Sequence, residues 1–133
     1  MLAASILWRF FLATWLILAA SQALGEVAVP PLKARVTDLT GTLTAQQAGE
    51  LESLLRDFET RKGSQIAVLM LPTTQPETIE QYAMRVAEQW KLGRKNVDDG
   101  ALLLIAKQDR AMRIEAGYGL EGALSDAVSK RII

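Results

Sequence analysis

The sequence contains neither cysteine nor histidine. The first absence excludes a disulfide framework, a thiolate nucleophile and thiolate-ligated zinc. The second excludes a Ser-His-Asp triad, an imidazole general base and His-ligated zinc or copper. Any metal must therefore be held by oxygen, which selects calcium, magnesium or manganese. Any hydrolysis must run on carboxylates, Lys, Arg, Tyr or a hard metal ion. A charge imbalance is also lacking, with 15 basic and 15 acidic residues in 133. Without a basic face there is no footprint for nucleic acid, so no such partner is expected. No polybasic block recruits the chain to anionic lipid either.

One apolar stretch stands apart from the rest. Residues 1–25 carry Arg9, then the run Phe10 to Ala20, then small residues. This is the plan of a secretory signal, with cleavage expected after Ala23 or after Gly25. The run is short for a membrane span; an uncleaved N-terminal anchor is the alternative. The remaining length has room for one domain.

Residues 26–35, with Pro30-Pro31, read as an extended linker. Val36 to Thr42 has the Asp, Thr and Gly of a turn. Thr44 and Gln47 form a capping box. The helix behind it shows Ala48, Leu51, Leu54, Leu55 and Phe58 on one face and closes at Gly63. Ser64 to Leu71 is a buried strand. Thr78 and Gln81 make a second capping box, before a helix with Ile79, Tyr82, Ala83, Val86, Ala87 and Trp90 on its core side. Leu92-Gly93 ends it.

Ala101 to Ala106 is fully apolar and reads as a strand buried on both faces. Lys107 to Arg110 is a turn. Ala111 to Ala116 alternates, with Met112 and Ile114 inward and Arg113 and Glu115 outward. Pairing Ala106 with Ala111 sets Leu102 opposite Glu115 and Gly100 opposite Gly117. The strand-helix-strand unit implies a right-handed parallel crossover, and the hairpin adds an antiparallel strand. The fold class is α/β, a mixed sheet covered by helices. Ser125 caps a last helix from Asp126 to Ile133, and the domain is expected to continue past it.

The hairpin returns Gly117-Tyr118-Gly119 to the loop holding Asp98 and Asp99, with Glu121 and Asp126 just beyond. Adjacent carboxylates without neighbouring cations repel, and a divalent ion relieves the repulsion. Glycines 100, 117, 119 and 122 let carbonyl oxygens approach such an ion. The metal-ligand candidates are Asp98, Asp99, Asp126 and Glu121, with Asp38 and Glu115 ranked lower. Calcium suits a flexible loop-built site better than magnesium. The alternative is that the Asp pair shapes the turn and Asp126 stabilises a helix N-terminus. Asp38 falls at the other end of the sheet, first as a turn or cap residue. Arg113 and Glu115 form a solvated ion pair, or Arg113 holds a phosphate; Arg94 and Lys95 are another phosphate contact or a basic loop. Tyr118 lines the cleft or packs over the sheet edge. A phosphatase would use Asp98, Asp99 and Arg113.

The phrases VTDLTGTLT, WKLGRKNVDDGALLLIA and MRIEAGYGLEGALSDA and the closing RII together resemble the TPM-domain family (YgcG-like proteins). That family includes exported bacterial proteins and a thylakoid-lumen protein linked to photosystem II repair. The resemblance implies a domain over residues 36–133, incomplete at its C-terminal helix, and an α/β/α sandwich with a central mixed sheet. It implies export to a bacterial periplasm, often with membrane tethering. In some members it also implies calcium binding and a weak acid phosphatase activity. Three function classes follow: an ion-binding module supporting envelope or membrane-protein maintenance, a metal-dependent phosphatase, and a structural interaction domain. An envelope or membrane protein is the expected macromolecular partner.

Export is the first testable expectation. N-terminal sequencing of the mature protein should begin at Leu24 or Glu26; Met1 retained on a cytoplasmic protein would remove the envelope role.

Overall fold

The computed structural model describes residues 2–22 and 25–133. Helix α1 spans Leu2–Gln22. Among the described residues, no helix is long and apolar enough to cross a membrane. Of the residues flanking the two expected cleavage points, Ala23 and Leu24 lie outside the described ones.

The body of the chain runs β1 (Val36–Asp38), α2 (Ala45–Lys62), β2 (Gln65–Leu71), α3 (Ile79–Trp90), β3 (Gly100–Ala106), β4 (Ala111–Ala116), a 3-10 turn (Tyr118–Leu120) and α4 (Asp126–Ile132). Both capping boxes form as the sequence predicts. The Thr44 and Thr78 hydroxyls accept from the N–H groups of Gln47 and Gln81, whose side chains reach back to the cap N–H. Gly63 closes α2 in the left-handed region, at φ 82°. Lys91 does the same for α3, at φ 49°.

The sheet order is β1-β2-β3-β4, with β1, β2 and β3 parallel and β4 antiparallel. The hairpin register is the expected one, Ala106 with Ala111 and Leu102 with Glu115. Successive residues of a strand face opposite sides. Ala67, Leu69, Leu71, Leu102 and Leu104 pack with Tyr82, Ala83, Val86 and Trp90 of α3. Val68 and Met70, with Ile66, Leu103 and Ile105 around them, pack toward Leu55 of α2. The two helices therefore cover opposite faces, and the α/β/α sandwich is established. Because the strands advance in one direction while their connecting helices take opposite faces, the two crossovers have opposite hands. One of them is the rare left-handed kind.

Three expectations need correction. Val36 to Asp38 is a strand and only its continuation is a turn. Its carboxyl-end residue Asp38 accepts from the N–H groups of Thr40 and Leu43, at 2.8 Å each, and the strand pairs with Val68 to Met70. Arg35 secures this edge by bonding Glu52 and Glu59 of α2, while Glu52 also accepts from the Val36 N–H at 2.9 Å. Second, Met112 is 44% exposed. Helix α2 covers β1 and β2, whereas α3 reaches β3 and β4. On β4 the covered face is thus the one carrying Arg113 and Glu115, both half-buried. Third, Leu54 is 63% exposed, so the buried stripe of α2 is narrower than its periodicity suggests.

The segment before β1 is extended but packed. Val27, Val29 and Leu32 lie on the α3-side core. Tyr82 Oη donates to the Ala28 carbonyl (3.0 Å), Trp90 Nε1 to Pro30 (2.7 Å) and Arg85 Nη2 to Val27 (2.8 Å). The linker is a strap across α3.

Adjacent residues Leu54 and Leu55 test this architecture. Leu55 is 7% exposed; Leu55→Ala should cost about 2–5 kcal/mol in denaturant melts. Leu54→Ala should stay within about 0.5 kcal/mol of the parent.

Candidate functional site

The end of the sheet where β3 begins is built from two loops. In the first, Arg94 carries the turn: its carbonyl accepts from the N–H groups of Val97 and Asp98, both at 3.0 Å. Asn96 (φ 68°) and Asp98 (φ 51°) occupy the left-handed region, where Asn and Asp are the most tolerated side chains after glycine. Asp99 then turns inward and is 4% exposed. Its Oδ1 accepts from the Arg94 N–H at 2.8 Å, and its Oδ2 from Arg94 Nε at 2.8 Å and Nη2 at 2.7 Å.

The Asp pair therefore does have a cation beside it, contrary to the sequence reading. Arg94 reaches forward five residues and neutralises the buried member. Charge-assisted hydrogen bonds to the guanidinium, then the Arg94 N–H, hold the Asp99 carboxyl below the usual carboxylate range. The basic-loop alternative for Arg94 gives way to this internal pairing.

The second loop sits against the first as the hairpin register predicts. Gly117 donates to the Gly100 carbonyl at 2.8 Å, and Gly119 to the Asp98 carbonyl at 2.9 Å. The approach leaves no room for side chains. A Cβ at Gly117 would stand 2.2 Å from the Asp98 oxygen, and one at Gly119 would stand 2.0 Å from the Val97 oxygen. Tyr118, held between these glycines, does not pack over the sheet edge; it is 81% exposed. Val97 beside it is 43% exposed, and the Asp98 side chain is open to solvent.

The other candidates are distributed. Glu121 and Asp126 are exposed, Asp126 in the first turn of α4. Glu115 bonds Arg113 Nε at 3.0 Å. Arg113 pairs across the hairpin with Leu104, four residues from Gly100, or roughly 13 Å along the strand. It lines a cleft of about 390 Å³ with Asp126, Lys130 and Glu80, separate from the loop pair. The solvated-pair reading of Arg113 holds as far as its partner goes, although both side chains are half-buried. Asp38 lies at the opposite end of the sheet, level with Met70. Burial pushes its carboxyl up, but the donors from Leu43 and Thr40 outweigh this and hold it low. It is the turn residue expected.

Among the described residues, no three Asp or Glu side chains come together in a set that could hold a metal ion. Both Asp99 oxygens are engaged by Arg94, which leaves Asp98 as the free carboxylate of the first loop. An ion at this end of the sheet would have to draw on Asp98 and main-chain carbonyl oxygens. Sequence reasoning missed the Arg94–Asp99 pair because a five-residue return through a loop has no periodic signature.

Two measurements test the loop geometry. Gly119→Ala should destabilise the domain by about 1–3 kcal/mol, the range for a substitution that forces backbone strain. Asp99 has a depressed folded pKa, so its contribution is complete above its unfolded value, about 3.9. It should fade as pH falls below about 4 toward the folded value. Asp99→Asn should flatten that part of a stability-versus-pH curve.

Comparison with known proteins bears on the whole domain. Residues 36–133 match the TPM domain family. The N-terminal domain of a P. gingivalis protein, solved in solution, is similar at a TM-score of 0.66 and 35% identity, covering 74% of this chain and 62% of that one. This chain thus spans less than two thirds of that relative's length. The N-terminal domain of the cg2496 protein from Corynebacterium glutamicum is similar at a TM-score of 0.58 and 17% identity, covering 80% and 67%; at that identity the likeness concerns the fold alone. A search of curated proteins found no match. With the family match extending from the first strand to the last helix, the chain belongs to the TPM-domain family.

Proposed function

We propose that this TPM domain is an exported module of the bacterial cell envelope, and that it binds a partner protein through the paired-loop end of its sheet. The observation that carries the reading is Tyr118. A large aromatic side chain is held 81% exposed between two glycines that cannot be replaced without a clash. Aromatic anchors on pre-ordered loops lose little conformational entropy on binding and dominate interface energetics. Val97 extends the apolar surface, and Asp98 supplies a carboxylate at its border. Arg9, the Phe10 to Ala20 run and the small residues after it support export. Maintenance of envelope or membrane proteins is the role such a module would serve.

The ion-binding and phosphatase readings rank below this one. A calcium ion using both Asp carboxylates would first have to free Asp99 from Arg94. Hydrolysis by Asp98, Asp99 and Arg113 has no assembled set, because Arg113 belongs to the cleft beside α4.

Site-specific photo-crosslinking tests the proposal. A benzophenone amino acid at position 118 in the living producer should give one discrete adduct in the envelope fraction. The same probe at Met84, 55% exposed on α3, should not. With the partner in hand, Tyr118→Ala should weaken binding by about 2 kcal/mol or more. Equal labelling at both positions, or none at 118, would remove the interaction reading. A calcium-induced shift of the amides of residues 96–100 and 117–126 would instead put the ion reading first.

A further inference from the structure

The opposite end of the sheet has been assigned no role, yet its topology is of the kind that makes a ligand crevice. In an open parallel sheet, a crevice forms at the carboxyl ends of neighbouring strands whose connections leave to opposite faces. Here β1 leads to α2 on one face and β2 leads to α3 on the other. Their carboxyl ends therefore part from each other. A cleft of about 610 Å³ lies there, lined by Leu39 and Thr40 after β1, Pro72 after β2, and Lys107, Gln108 and Arg110 after β3.

The loops that form its walls are tied together. Leu39 N–H donates to the Met70 carbonyl (2.8 Å), Lys107 N–H to Leu71 (3.0 Å) and Gln108 N–H to Pro72 (2.8 Å). Asp109 is turned away and accepts from Thr73 Oγ1 at 2.9 Å and the Thr74 N–H at 3.1 Å. Its charge is thus partly satisfied within the loops. Lys107 Nζ gives one hydrogen bond, to Thr42 Oγ1 at 2.8 Å, and keeps two donors. Among the described residues the Arg110 guanidinium has no partner. Arg110 itself is held at φ 51°, so its backbone is committed to this turn.

We propose that this cleft binds a small carboxylate ligand, with Lys107 and Arg110 on the carboxylate and Leu39 and Pro72 against its apolar part. Two cations with free donors call for an oxyanion. A singly charged one is favoured, because the Asp38 carboxylate, bonded to the N–H of the lining residue Thr40 at 2.8 Å, lies behind the wall and opposes a dianion. Leu39 is 52% exposed at the rim and offers apolar contact that a bare inorganic anion would not use.

The test uses the full chain and 3-phenylpropanoate, followed by amide NMR. Saturable shifts are expected at residues 39, 40, 107, 108 and 110. The double variant Lys107→Gln, Arg110→Gln should bind at least about tenfold more weakly, equivalent to about 1.4 kcal/mol. Its melting temperature should be unchanged, since both side chains are exposed. 3-Phenylpropanol, uncharged and of similar shape, should not bind. Equal binding of the alcohol would overturn the proposal in favour of apolar adhesion. Tighter binding of phenyl phosphate would overturn the choice of carboxylate. Absence of shifts in these loops would end it, whatever happens at the Tyr118 end.

Discussion

A carboxylate buried at the mouth of the central strand must be neutralised, and Arg94 is the group that does it. A carboxylate turned inward and left unpaired is unfavourable, and the surrounding loop brings the guanidinium to it. The chain leaves α3 through two left-handed residues, Lys91 and Gly93, and turns on the Arg94 carbonyl. It then presents Asp99 to the side chain and the N–H of the same arginine. The Asp99 carbonyl in turn accepts from the Gln65 N–H at 3.2 Å and sets the start of β2 beside the start of β3. The second loop rests on the oxygen atoms of the first. The exposed tyrosine is therefore supported, through one ion pair, by the core.

That dependence explains what was legible in the sequence and what was not. Features encoded by local spacing came through. The Thr44–Gln47 and Thr78–Gln81 boxes, the Gly63 cap and the register from Ala106–Ala111 to Gly100–Gly117 each involve residues a few positions apart or a short turn. The meeting of the two loops followed from that register alone. Features encoded by tertiary geometry did not come through. The strand status of Val36 to Asp38 depends on an edge offered by β2 and an anchor offered by Arg35. Nothing in the alternation of β4 says which of its faces a helix will cover, and Met112, expected inward, lies exposed. The role of Arg94 needed the loop path itself.

The two ends of the sheet divide the chemistry between them. At the amino end of β3, glycines bring main chain against main chain and leave no space for side chains between the loops, with Tyr118 and Val97 exposed outside. At the carboxyl ends of β1, β2 and β3, the connections separate and leave a cleft. The difference arises from the opposite hands of the two crossovers. With both helices on one face, the loops after β1 and β2 would run side by side and close the crevice. A departure from the usual handedness thus supplies the cavity that a single-handed arrangement of the same strands would lack.

The strap over α3 behaves as a peptide bound in cis. Apart from the Glu26 carboxylate, 3.5 Å from Arg85 Nη1, its polar contacts are received by the carbonyls of Val27, Ala28 and Pro30, atoms that every residue type possesses. Val27, Val29 and Leu32 add apolar packing through their side chains. Tethering through residues 33–35 to β1 makes docking intramolecular, at an effective concentration in the millimolar range for a short connection. Contacts too few to hold a free peptide are then sufficient. The strap can accordingly tolerate wide variation at positions 28 and 30, while severing the chain between it and β1 would release it although every contact atom remained present.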